Sequence, residues 1–343
     1  MRMPRWPPIK PGLTGSPLIK TCSSGADMQA LYYSRFGAAD TLTLGALPMP
    51  EPAPGEVLVR VAAAGLNPID VKTRAGKGFV AAQLGTAFRF VPGYDLAGEV
   101  ASQHPDWPAG TAVVGMVNFP LRGGACAEYC AVEAGVLVAA PRRIPLADAA
   151  GLPLAGLTAW QGLFQHGALT SGQRLLVLAG AGGVGHLAVQ LGRWAGAEVA
   201  ATASKGNLAL LGELGAHHCL DYGQPDVLEA AGPWDLILDL MGGDVGLQAL
   251  DCLAPEGLLL TVPTLTAATL EAAGAARQRR VRGYTVQPDA AQLEQLVALV
   301  DRGDVTLHIS QRFPLAQGAE AHRLVEGGHV QGKVILEMPA AAV

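Results

Sequence analysis

No run of about 18 uninterrupted apolar residues, the length a membrane-spanning helix requires, occurs in this chain. This holds although half of its 343 residues are hydrophobic and its mean hydropathy is +0.29. The expectation is a soluble, cytoplasmic protein with no membrane partner. An excess of positive charge is also missing: 24 Lys and Arg stand against 29 Asp and Glu, for a net charge of -5. Binding to nucleic acid relies on a basic surface, so no nucleic-acid partner is expected. The local basic run from Arg277 to Arg282 has only Tyr284 as an aromatic neighbour and reads as a solvated helix face. The five cysteines, Cys22, Cys126, Cys130, Cys219 and Cys252, lack the spacing of a disulfide framework, which suits a reducing compartment. Cys126 and Cys130 have no second pair and no nearby His, so they read as buried thiols rather than metal ligands. None of the eight histidines has a ligand spacing, and no metal is expected.

What is present divides the chain into three parts. Residues 1–27 carry Pro4, Pro7, Pro8, Pro11 and Pro17 without the apolar core of a secretory signal. They are set aside as a disordered leader or a mis-called start ahead of Met28. From Leu42 to about Ala150, short alternating strands such as Glu56 to Val61 are punctuated by Pro54-Gly55 and Pro92-Gly93. That grammar predicts an antiparallel, barrel-like β domain. Beyond Ala150, strands (Arg174 to Ala179, Glu198 to Ala203, Leu236 to Asp239, Leu258 to Val262) alternate with helical stretches, the signature of a parallel sheet flanked by helices. A helix over Ala290 to Val300 and a last strand at Val334 to Glu337 are expected to return to the first domain.

The strongest local signal is Gly180-Ala181-Gly182-Gly183-Val184-Gly185, directly after one predicted strand and directly before an amphipathic helix. Glycines at this spacing let the chain turn tightly, bring backbone close to a pyrophosphate and pack the helix on the sheet. The helix start then offers free amides to phosphate. The fold class is therefore α/β, with a doubly wound Rossmann sheet over residues 151–287. A site selective for NAD would carry a carboxylate at the end of the second strand, bonded to the ribose 2′-hydroxyl. Here that strand ends in Ala203-Ser204-Lys205. Ser204 and Lys205 suit a 2′-phosphate instead, so the expected cofactor is NADPH.

These residues resemble the medium-chain dehydrogenase/reductase superfamily, and within it the zinc-free quinone oxidoreductase branch that includes ζ-crystallin. The resemblance rests on Ala64 to Asp70, Val91 to Gly98, Leu152 to Trp160, the glycine loop, Gly215 to His218 with Asp221-Tyr222, and Gly332 to Leu336. Zinc-dependent members carry cysteine or His-Glu ligands where this chain has Leu66-Asn67, Tyr94-Asp95 and Leu154 to Thr158. The resemblance implies a GroES-like β-barrel catalytic domain built from residues 28–150 and 288–343. It implies that Asn67 sits beside the nicotinamide and donates to the substrate oxygen or the carboxamide, with Tyr94 in the pocket as a proton donor. It further implies cofactor contacts from Thr158, from Gly180, Gly182, Gly183, Val184 and Gly185, from Tyr222, along Val262-Pro263-Thr264, and from Lys333 at the site mouth. Asp70 and Lys72 read as caps or an ion pair, and Gly76 to Phe90 as the cover of the acceptor site. A homodimer paired through Leu258 to Val262 as edge strand is implied as well. The activity expected is NADPH-dependent, zinc-independent hydride transfer to a quinone. The C=C bond of an enone or acyl thioester is the alternative acceptor, and a non-catalytic NADPH-binding protein is the alternative of another class.

Overall fold

The computed structural model describes residues 26–85 and 88–339. The leader expected over residues 1–27 lies outside the described residues except for Ala26 and Asp27, and Asp27 already opens a strand. That strand, β1 (Asp27–Tyr32), pairs antiparallel with β2 (Thr43–Pro48). The long strand β3 (Glu56–Leu66) then alternates buried Val57, Val59 and Val61 with half-exposed residues, the period a one-sided sheet requires. It is followed by β4 (Asp95–Val100), β5 (Ala112–Met116), β6 (Tyr129–Glu133) and β7 (Leu137–Ala139). The parallel part of the chain supplies β8 (Arg174–Val177), β9 (Glu198–Ala203), β10 (His218–Asp221), β11 (Trp234–Asp239), β12 (Leu253–Thr261) and β13 (Arg280–Gly283). Finally β14 (Ile309–Pro314) and β15 (Lys333–Glu337) carry the chain back to the first sheet.

The first sheet runs β14-β15-β3-β4-β5-β7, with β6 also on β3, and β15 closes antiparallel against the end of β3 at Val334↔Leu66. The second is a six-stranded parallel sheet in the order β10-β9-β8-β11-β12-β13. Its direction of winding reverses between β8 and β11, and the crevice at such a reversal is where doubly wound sheets bind ligands. One buried cluster runs through both units, joining Tyr94 and Met116 of the barrel to Leu187 and Leu296 of the flanking helices. Asp289 caps the Ala290–Arg302 helix by accepting from Gln292 N at 2.9 Å, and Gly303, at φ 83°, ends it.

Two expectations are corrected here. Leu258 to Val262 is not an edge: β12 lies between β11 and β13, and Leu259 and Leu260 are wholly buried. A run apolar on both faces needs a neighbour on each side. The edge is instead β13, and the basic run is not a helix face: it spans the turn after the Ala267–Ala276 helix and the strand Arg280–Gly283.

Two buried histidines couple this packing to pH. Burial lowers His186 to about 4 and His322 to about 3, and neither ring nitrogen of His322 has a partner. A histidine held neutral in the folded state contributes stability above its unfolded pKa, and loses it as pH falls toward the folded value. Phe can fill the same space as His322 without taking up a proton. We therefore expect His322→Phe to gain roughly 2–3 kcal/mol relative to wild type between pH 7 and pH 4.5, in urea unfolding at each pH. A pH-independent difference would contradict the assignment.

Candidate active site

The glycine loop leaves β8 through Ala179, a non-glycine residue at φ 59°, and enters the Gly185–Trp194 helix. Packing dictates its glycines unequally. A Cβ on Gly180 would stand 2.5 Å from the Ala201 Cβ, and one on Gly185 would stand 2.1 Å from the Ala179 carbonyl oxygen. These two positions seat helix against strand. Gly182 and Gly183 instead face a cavity of about 410 Å³ that lies between the two sheets, and a Cβ on Gly183 would approach Lys333 Cδ at 3.3 Å. The loop is thus a cradle that side chains would fill, which fits a dinucleotide pyrophosphate against the helix start.

Across the cavity lies a buried polar network. Lys333 is 2% exposed, so it forms the floor of the site and not its mouth. Its ammonium donates to Asn67 Oδ1 at 2.5 Å, Leu66 O at 3.0 Å and Asp95 Oδ2 at 3.4 Å. Asp95 also accepts from Asn67 Nδ2 at 2.8 Å and from Leu154 N at 2.7 Å. Burial raises the Asp95 carboxyl, and Lys333, Asn67 and Leu154 pull it back toward ionisation. Asp70 closes the next turn: it accepts from Asn67 N at 2.9 Å and Gly93 N at 3.0 Å, and burial raises it to about 7. Asp70 is a cap, as expected, and its carboxylate is not paired with Lys72.

The structure brings together most, but not all, of the residues singled out from the sequence. Asn67, Thr158, Gly182, Gly183, Val184 and Gly185 line the cavity, as do Val262, Pro263, Thr264 and Lys333. Lys77, Gly78, Phe79 and Val80 line it too, so part of the segment expected to cover the site does reach it. The amide N–H groups of Asn67 are engaged by Asp95 Oδ2 at 2.8 Å and Gly65 O at 3.4 Å, which takes up the donor proposed for the substrate oxygen. Tyr94 is corrected outright: it is fully buried off the cavity wall, and its hydroxyl donates to Pro120 O at 2.8 Å. A proton donor must touch what it protonates, and this one does not. Ser204, Lys205 and Tyr222 also lie outside the lining, at the ends of β9 and β10, where Tyr222 N donates to Ala203 O at 3.2 Å. Among the residues of the wall not recognised from sequence, two carry polar groups of interest. Tyr284 lies in it with its hydroxyl on Thr158 O at 2.8 Å. Lys72 is the other, and the signal for it was spacing: four residues after Pro68 it faces the same side of the Pro68–Arg74 helix.

The donor set does not suit a zinc ion. The matching positions hold an amide already bonded on both ends and a carboxylate neutralised by an ammonium, without the sulfur and imidazole ligands such a site uses. Among the described residues no three His, Cys, Asp or Glu side chains converge. Breaking a buried ion pair leaves one charge unpaired and costs about 3–5 kcal/mol. We expect that loss for Lys333→Met in urea unfolding, and recovery of more than half of it when Asp95→Asn is added. Equal stability of Lys333→Met and wild type would show the pair to be dispensable.

Comparison with known proteins agrees with this architecture. Residues 53–142 match the alcohol dehydrogenase GroES-like domain, and residues 214–336 match the zinc-binding dehydrogenase domain. An NADPH-dependent alkenal/one oxidoreductase of Arabidopsis thaliana chloroplasts is 34% identical over 90% of this chain and 79% of its own. A chloroplast quinone-oxidoreductase homolog of Spinacia oleracea is 32% identical over 90% of this chain and 98% of its own. Among solved structures, the quinone oxidoreductase from Coxiella burnetii superimposes with a TM-score of 0.88 at 39% identity, covering 92% of this chain and all of its own. The chain belongs to the medium-chain dehydrogenase/reductase superfamily, in its quinone-oxidoreductase-like branch.

Proposed function

We propose that this chain is an NADPH-dependent, zinc-independent reductase of conjugated carbonyl acceptors, the unit shared by enones and quinones. The observation that carries the reading is Lys72. It lines an otherwise mainly apolar cavity wall, half-buried, and no hydrogen bond or ion pair engages its ammonium among the described residues. Burial lowers its pKa, so its charge is maintained there at a cost.

When bound, NADPH supplies the hydride. The residues that would hold it are Gly182 to Gly185 at the pyrophosphate, Thr158 and Val262 to Thr264 along the nicotinamide half, and Ser204 and Lys205 at the 2′-phosphate. Hydride addition at the carbon β to a carbonyl pushes the C=C electron pair toward oxygen, giving an enolate that takes a proton at the α carbon. In a quinone the same shift leaves a phenolate that is protonated on oxygen. Lys72 stabilises that developing negative oxygen, the role a metal plays elsewhere, and the apolar surroundings strengthen it by excluding water. Phe79, Val80 and Phe119 supply the flat apolar walls for the conjugated body. The Arabidopsis relative, named for alkenals and enones, and the quinone-reductase relatives support the same acceptor unit.

The first test is NADPH oxidation with a simple enone, a benzoquinone and a naphthoquinone, in wild type and Lys72→Met. Loss of one preorganised donor to a developing oxyanion costs about 100-fold in kcat/KM. The protonated amine is the active form. Activity in wild type is therefore expected to fall as pH rises, at a pH below the ordinary lysine value of 10.5, and that limb should be missing in the variant. NADPH bound tightly with every acceptor left unreduced would favour the non-catalytic alternative. The cofactor preference has its own test: Lys205→Ala should weaken NADPH several-fold and leave NADH unchanged, since only the former carries the 2′-phosphate. An equal effect on both cofactors would remove Lys205 from the phosphate site.

A further inference from the structure

The charge of the cavity is opposite in sign to that of the molecule. The chain carries -5 overall, yet the described cavity lining contains three lysines and no Asp or Glu. Lys333 is neutralised by Asp95. Lys72 and Lys77 are not neutralised: no ion pair reaches either among the described residues. Their backbones are joined, since Lys77 N donates to Lys72 O at 2.8 Å where the Pro68–Arg74 helix ends. Lys72 is half-buried and Lys77 is exposed, so the pair runs from the inside of the cavity outward along one wall.

Lys72 is partly desolvated beside the apolar wall of Phe79, Val80 and Phe119, and Lys77 stands at the solvent end of the same wall with no carboxylate of the described residues against it, so an anion entering there meets an unopposed charge. The cofactor's phosphates are assigned to the glycine loop and to Ser204-Lys205, which follow β8 and β9 of the parallel sheet. One oxyanion beside Lys72, formed during reduction, accounts for one of the two charges. We propose that Lys77 accounts for the other by binding a carboxylate on the acceptor. The preferred acceptor class is then a conjugated oxo-acid, with its carbonyl oxygen at Lys72, its conjugated body between the apolar walls and its carboxylate at Lys77. The selection deepens the reductase reading and relies on it for the identity of the carbonyl end alone.

Binding rather than turnover tests this. 3-Benzoylpropionate and its methyl ester share an aryl ketone and differ by one charge; neither contains a reducible C=C bond. Their dissociation constants would be measured by titration calorimetry on the protein saturated with NADP⁺, at low salt and in 0.5 M NaCl. We expect the acid to bind about 5–10-fold more tightly than the ester, consistent with one charge-assisted contact near the surface. That advantage should shrink in high salt, disappear in Lys77→Gln and reverse in Lys77→Glu. Equal binding of acid and ester, or an advantage that survives both substitutions, would overturn the proposal. A protein that binds the acid selectively but reduces neither 3-benzoylacrylate nor its ester would refute the reductase reading while leaving the carboxylate site in place.

Discussion

The buried contact of Lys333 with Asp95 and Asn67 is the constraint on which the rest of the site depends. It joins three pieces of chain that are far apart in sequence: the turn after β3, the start of β4 and the start of β15. Through Leu154 N it also fixes the first helix on the cofactor side. The lysine ammonium has three donors, and all three are used within the network. Taking these charges out of water is expensive, and only complete pairing makes it tolerable. Such a network specifies one relative position of the barrel and the crevice, because a shift of a hydrogen-bond length leaves a buried charge unpaired.

That arrangement also decides what chemistry the cavity can do. A carboxylate held by lysine and an amide bonded at both ends are structural partners, so they leave nothing free to polarise a carbonyl. Among the described residues, the unpaired cationic groups of the lining are Lys72 and Lys77, on the Pro68–Arg74 helix and the turn after it. Asp70 caps that helix from inside, and the helix in turn directs Lys72 at the cavity. Asp70, raised to about 7 by burial, is one turn from the reacting region yet is fully engaged by two backbone amides. Its part is to hold the helix. In the reading proposed above, charge stabilisation is left to a single cation in apolar surroundings, where each electrostatic contact is worth more than in water.

Much of the fold was legible in the sequence because its determinants are local. Gly180 to Gly185 follows a run of buried residues and precedes an amphipathic stretch, and the spacing of its glycines marks the turn from strand to helix, with Gly185 crowded by the Ala179 carbonyl of the same unit. The alternation in β3 and the cap at Asp289 are equally local. Legibility failed where a residue's role depends on a remote neighbour. Tyr94 looked like a pocket residue because of its place in a motif, but Pro120 O, 26 positions away, takes its hydroxyl. Arg280 to Gly283 carried the charge of a solvated surface, and only the strand beside it made it the sheet edge.

The sequence by itself determined the α/β class, the crevice at the glycine loop and the absence of zinc-ligand residues at the matching motifs. These follow from the steric and hydrogen-bonding limits of short segments, which each segment carries wherever it is placed. Only the tertiary structure decided that Lys333 is a buried tie and not a rim residue, that Asn67 is spent on Asp95, and that Lys72 and Lys77 remain as the unpaired charges of the cavity. An ammonium is structural or reactive according to whether a carboxylate stands within a few ångströms. For Lys333 that carboxylate lies 238 positions earlier in the chain, a distance that folding closes and spacing in sequence does not express.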